Sequence, residues 1–218
     1  MLLVTGEAVA TATSVAESTT GRPEAQRLVL LDTIPGLINY YSDGSAALAA
    51  DFYEEERDRA GVRGGFTPVL SGVDRTVKIR RATAWASEPW FIAEGAAGAA
   101  AATLIVNERI TEVVQLEVAR AYRDTITTNR RRDPEAVGWR RITAGGCKFC
   151  RMLADRGAVY KQSTARFAAH PHCHCSAEPV FTTNDTGVEA SVMQYRASRR
   201  SRSPEERASL RAFLDAYY

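Results

Sequence analysis

From residue 106 onward the apolar positions Val106, Ile110, Val113, Val114, Val118, Ala121, Tyr122 and Ile126 recur every three or four residues. That is the period of a helix with one buried face, and it predicts a long helix, or a broken pair of helices, over residues 90–129. Glu108, Glu112 and Glu117 fall between these positions and are expected on the outer face. Just before the stripe, Gly95 to Ala102 holds only glycine and alanine. A run without bulk predicts that another helix approaches closely along it. Earlier in the chain, Pro23-Glu24 has the form of a helix opening, with Leu28, Leu30 and Leu31 as its apolar face until Pro35 interrupts. A second helix is expected from Pro35 to Ala60, with Leu37, Tyr41, Leu48 and Phe52 as its core stripe. Its acidic end, Glu54 to Glu56, reads as a solvated face. A short helix over residues 75–85 follows a glycine-rich loop at 61–72, and Trp85 and Trp90 bracket Pro89 as packing anchors. Residues 5–22 are small and polar, consistent with an arm or a marginal helix.

After Asp133-Pro134, which forbids helix continuation, the pattern changes. Gly138 to Ile142, Ala158 to Tyr160 and Pro179 to Phe181 read as short strands. A Gly145-Gly146 turn is expected between the first strand and Cys147, and a helical or irregular excursion over 162–169. So few apolar residues could hardly fold alone. The chain ends on Ser203-Pro204-Glu205-Glu206, a capping box with proline at the first helical position, followed by an apolar stripe of Leu210, Phe213, Leu214 and Tyr217. The predicted organisation is mainly α: a helical body over 1–136, a small stapled α+β domain over 137–185, and a basic linker with a terminal amphipathic helix over 186–218.

Composition changes this picture little. The chain has 218 residues, 45% of them hydrophobic, and a net charge of +2. That suits a globular protein and says nothing of partners until the charge is located. Lysine occurs only at 78, 148 and 161, so the cations are almost all arginine, clustered at 130–132, 140–141 and 196–202. Helix capping accounts for the first cluster, and non-specific contact with nucleic-acid phosphate is the sharper alternative for all three. The N-terminus lacks a basic n-region and an export-length apolar core. The longest apolar tract, Ala96 to Val106, is far shorter than the roughly 20 residues a bilayer needs. Neither a signal peptide nor a membrane span is expected, and synthesis in the cytoplasm is.

The chemistry is concentrated in one place. All four cysteines and all three histidines lie between Cys147 and Cys175, in Cys147-x-x-Cys150 and His170-Pro171-His172-Cys173-His174-Cys175. A Cys-x-x-Cys turn aims two thiolates at one ion, and a second close pair completes a tetrahedral zinc shell. On an extended segment Cys173 and Cys175 share a face, and Pro171 favours extended geometry at His170. Cys147, Cys150, His170, Cys173 and Cys175 are therefore five candidates for four places around a structural zinc ion. Disulfides would want an oxidising compartment, and a redox motif would want a βαβ setting. A closed four-ligand site implies scaffolding rather than hydrolysis.

These residues also carry a likeness. Cys147, Cys150, Leu153, Gly157, Tyr160, His170, Pro171, Cys173 and Cys175 together resemble the C-terminal motif of Mu F-like phage head morphogenesis proteins, with His174 where that family usually has arginine. The resemblance implies a non-enzymatic minor capsid protein, several copies per particle, inside the phage head near the portal, with portal or major capsid protein as neighbours. Two rivals remain. A capsid maturation protease would need a base near a nucleophile, yet every histidine sits among the cysteines, and neither a Gly-x-Ser-x-Gly elbow nor a His-Glu-x-x-His helix occurs. A nucleic-acid-binding zinc protein would use the arginine clusters, but no recognition-helix pattern follows the cysteines.

Overall fold

In the computed structural model the described residues are 1–72, 74–143, 147–155, 157, 167, 169–170, 173–181 and 203–217. The elements run α1 (Leu2–Ser18), α2 (Pro23–Arg59), α3 (Thr76–Ala86), α4 (Pro89–Ile92), α5 (Gly95–Arg132), β1 (Gly138–Ile142), α6 (Lys148–Ala154), β2 (Ser176–Val180) and α7 (Pro204–Tyr217). The architecture is mainly α, with a two-stranded antiparallel sheet and a Cys/His cluster near the C-terminus, as the pattern predicts. The expected Gly145-Gly146 turn, the 158–160 strand, most of the 162–169 excursion and the 196–202 arginine cluster lie outside the described residues.

The chain divides into two compact units, one of Met1–Ala49 with Leu70–Thr125, the other of Ala50–Val69 with Ile126–Tyr218. Helices α2 and α5 each contribute to both.

The first unit is built on helix periodicity. Leu30, Ile34 and Ile38 of α2 meet Val106, Ile110, Val114 and Val118 of α5, all buried, with Ile79 of α3 in the same core. Residues 5–22, left open between arm and helix, form α1 over most of their length. Its buried positions are Thr5, Ala8, Ala12 and Ala16, a small-residue stripe that allows a close approach with little side-chain entropy to lose.

The expected break at Pro35 does not occur, because α2 runs straight through it. Proline removes the bond that residue 35 would donate to the Leu31 carbonyl. Here Arg80 of α3 donates Nη1 to that oxygen at 2.8 Å, so the lost partner is replaced. The buried face of α2 is consequently set by Leu30, Ile34 and Ile38. Leu37 and Tyr41 only flank the core, Phe52 is partly buried, and Leu48 is exposed.

Three further expectations are corrected. Glu117 is buried rather than outward, held by Lys78 and by Arg75 at 3.7 Å. The Gly-Ala run of α5 is mostly exposed, with Ala102 its buried exception. Trp90 is buried and donates to Thr103, but Trp85 is 43% exposed beneath the Arg109 guanidinium. Gly95, at φ +68°, separates α4 from α5, so the predicted long element is the broken pair.

In the second unit the C-terminal end of α5 is tied down by polar contacts. Asp133 accepts from Arg57 at 2.7 Å and from the Tyr53 hydroxyl at 3.3 Å, all three side chains being buried. Asn129 bonds both the N–H and the C=O of Val69, at 2.8 and 2.9 Å, which fixes the loop that follows α2. Arg130 donates to the Val137 carbonyl at 3.1 Å, so at least this member of the first arginine cluster serves the fold. β1 pairs with β2 in the register Trp139↔Pro179 and Arg141↔Ala177.

Candidate metal centre

Two pieces of the second unit deliver the donors. Cys147 is the N-cap of α6 in extended geometry (φ −60°, ψ 162°), and Cys150 lies three residues on, in the first turn. At that spacing the two side chains share one side of the helix. The α6 helix itself was missed by sequence reasoning, which saw only a turn. Gly157, at φ +65°, stands just past its end and closes it with an N–H bond to Ala154. The other piece is extended. Along 173–177, Cys173, Cys175 and Ala177 are buried while His174 is exposed, the alternation that the sequence predicts. β1 holds this segment in place through β2.

The five candidate ligands are brought together as two overlapping groups. One holds Cys147, Cys150 and His170, the other Cys150, Cys173 and Cys175, with every donor pair inside a group within 4.8 Å. Cys150 belongs to both. The Nε2 atom of His170 lies 3.2 Å from Cys147 Sγ and 3.1 Å from Cys150 Sγ. Cys150 Sγ lies 3.9 Å from Cys173 Sγ. A zinc–sulfur bond of about 2.3 Å places two thiolates of a tetrahedron about 3.8 Å apart, so the sulfur pair is already at coordination spacing. A disulfide would need about 2.05 Å, and all four cysteines are free. Cys150, Cys173 and Cys175 are buried and Cys147 is exposed, so the donor set is dry on one side and reachable on the other.

The surroundings suit an ion bound by thiolates. Burial pushes the Cys150 thiol up to about 11, the cost of an unpartnered thiolate there. Cys175 is drawn down to about 7, chiefly by a hydrogen bond from Cys173, with Thr143 and Arg141 adding to the effect. Arg141 is 4% exposed; its Nη1 lies 4.0 Å from Cys173 Sγ and its guanidinium stacks 3.9 Å from the centre of the Phe167 ring. Phe167 stacks in turn on Trp139 and packs against the cysteines. A fixed cation beside several thiolates offsets the negative charge left over once a divalent ion is bound. Sequence reasoning placed Arg141 in a phosphate-contact cluster; its role beside the sulfur atoms depends on pairing across the sheet that no local motif encodes.

The described residues therefore offer a donor set that can hold a metal ion. Elsewhere, in the first unit, a polar cleft of about 450 Å³ is lined by Asp43, Asp74, Arg75, Glu117 and Asp124. Arg75 reaches Asp124 at 2.8 Å and Glu117 at 3.7 Å, which neutralises much of that acidity. Among the described residues, no helix is long and apolar enough to cross a membrane.

Fold and site define a mainly helical protein carrying a Cys/His ligand cluster in a small sheet-and-helix region. The chain belongs to the VG15 protein family, whose profile matches residues 4–198, and that membership points to a phage protein. No curated protein and no solved structure matches it.

Proposed function

We propose that this chain is a structural minor capsid protein of a phage head, stapled by one zinc ion at the Cys147, Cys150, His170, Cys173, Cys175 cluster. The two donor groups that meet at Cys150, with the Cys150 and Cys173 sulfurs 3.9 Å apart, support the metal reading most directly. Thiolate and imidazole donors favour zinc among the common cellular metals. Bound there, zinc would supply folding free energy, of which structural sites give apparent values of about 10–16 kcal/mol. Family membership supports the phage assignment, and the Mu F-like motif supports a place in the head interior near the portal, in several copies, against portal or major capsid protein. Arginines outside the ligand region would add at most non-specific contact with packaged DNA.

The proposed role is non-catalytic. Four protein ligands leave no position for an activated water, and the histidines are confined to residues 170–174, beside the cysteines. The protein purified under reducing conditions without chelator is expected to carry about one zinc ion per chain, measured by elemental analysis. Quantitative mass spectrometry of purified particles is expected to find the chain in them. A chain free of metal with two disulfides would overturn the zinc assignment, and absence from particles would overturn the capsid assignment.

A further inference from the structure

Helix α6 serves two tasks on two sides. Its N-terminal edge supplies Cys147 and Cys150 to the ligand cluster. Its other side carries Phe149, Met152 and Leu153, and onto these pack Leu210 and Leu214 of α7. An ion pair between Lys148, the first residue of α6, and Asp215 of α7 closes the contact.

α6 has seven residues, and helices shorter than about 12–15 are marginal in water because nucleation fixes several residues before the bonds repay it. α7 has 14 residues, a reciprocal Ser203–Glu206 capping box and one buried side chain, Leu214. Local capping sets where α7 begins, and contact with α6 sets where it lies. α6 borders β1 as well, and its N-terminal turn carries the two cysteines.

We propose that metal binding at the cysteine cluster and docking of the C-terminal helix are one coupled equilibrium. The ion fixes the N-terminal turn of α6, and the fixed helix offers Phe149, Met152 and Leu153 as a seat for α7. Loss of the ion undocks α7 and bares Leu210 and Leu214, the side chains that pack against α6, whereas Phe213 and Tyr217 are exposed already. The inference rests on the reading of the cluster as a metal centre. Coupling is reciprocal, so whatever the ion does for docking, docking must do for affinity by the same factor.

That reciprocity gives the test, on the full chain. The double variant Leu210→Asp, Leu214→Asp touches no metal donor and breaks the seat. It is expected to bind zinc with unchanged stoichiometry but about 5- to 150-fold more weakly, the usual span of coupling factors, in competition with a chromophoric chelator. In the unaltered chain, removing zinc is expected to raise hydrogen exchange across residues 204–217 while residues 106–118 of α5 stay protected. Unaltered zinc affinity in the variant would overturn the coupling, as would exchange over 204–217 that ignores chelation. A chain that takes up no zinc at all would instead remove the metal centre, and the coupling with it.

Discussion

At the scale of single residues the determining feature is how burial treats each thiol. Cys150 sits in both donor groups and is 1% exposed, and its thiol is pushed up to about 11. Cys175 is equally buried yet lies near 7, because Cys173, Thr143 and Arg141 stabilise its thiolate. A metal ion must displace every proton still on its ligands, so affinity rises with pH wherever a ligand is protonated. Above pH 7, Cys175 is already mostly thiolate and releases little, while Cys150 still has a proton to lose. Below pH 7, both must give one up. Apparent zinc affinity is therefore expected to climb from pH 6 to 8, measured by competition titrations at several pH values. A pH-independent affinity would mean that these thiols are not the ligands. The Arg57–Asp133–Tyr53 trio shows the same physics with other chemistry. Burial, then the adjacent Asp133, raises the Tyr53 pKa, keeping the hydroxyl protonated as the donor that Asp133 needs.

Among the elements, what could be read in advance was whatever depends on local period or capping. Val106, Ile110, Val114 and Val118 form the core face of α5 as their spacing requires, and Ser203 and Glu206 exchange the two bonds that their sequence spells out. Cys173 and Cys175 turn inward together for the same reason. What was hidden depends on partners distant in sequence. α1 has alanines where a core helix usually has leucines, so its periodicity carries little signal. α6 is too short to announce itself. Pro35 reads as a terminator only while Arg80, 45 positions away, is out of view. That last pair can be tested as a unit. In the native chain the Leu31 carbonyl relies on Arg80; with Pro35→Ala the helix regains its own N–H for the same oxygen. Arg80→Ala is expected to cost roughly 1 kcal/mol in the native background and at least about 0.5 kcal/mol less in the Pro35→Ala background, by chemical denaturation of all four chains. Additive effects would mean that the arginine does not compensate the proline.

For the whole molecule, the two units draw their stability from different sources. The first has a continuous core running from Leu30 and Ile34 to Val114 and Val118, the kind of burial that contributes roughly 1.5–3 kcal/mol per large aliphatic side chain. The region around the cysteines has a two-stranded sheet, a seven-residue helix and a cluster whose buried members are three cysteines. An isolated two-stranded sheet is marginal at best, so this region needs more than its sheet to hold it together. The proposed metal centre would supply such a term, and its loss should then be local. Cys150→Ser removes the donor common to both groups and is expected to abolish metal uptake, expose Trp139 to solvent and undock α7. The long helices of the first unit should be largely unaffected. Circular dichroism should accordingly fall by no more than the seven residues of α6 and the fourteen of α7 account for. Tryptophan fluorescence should shift to the red, since the buried Trp139 indole stacks on Phe167 beside the cysteines. Collapse of the helical signal as a whole would mean that the metal region nucleates the entire fold. A variant that keeps its metal, its fluorescence and its helices would leave the cluster without a structural role.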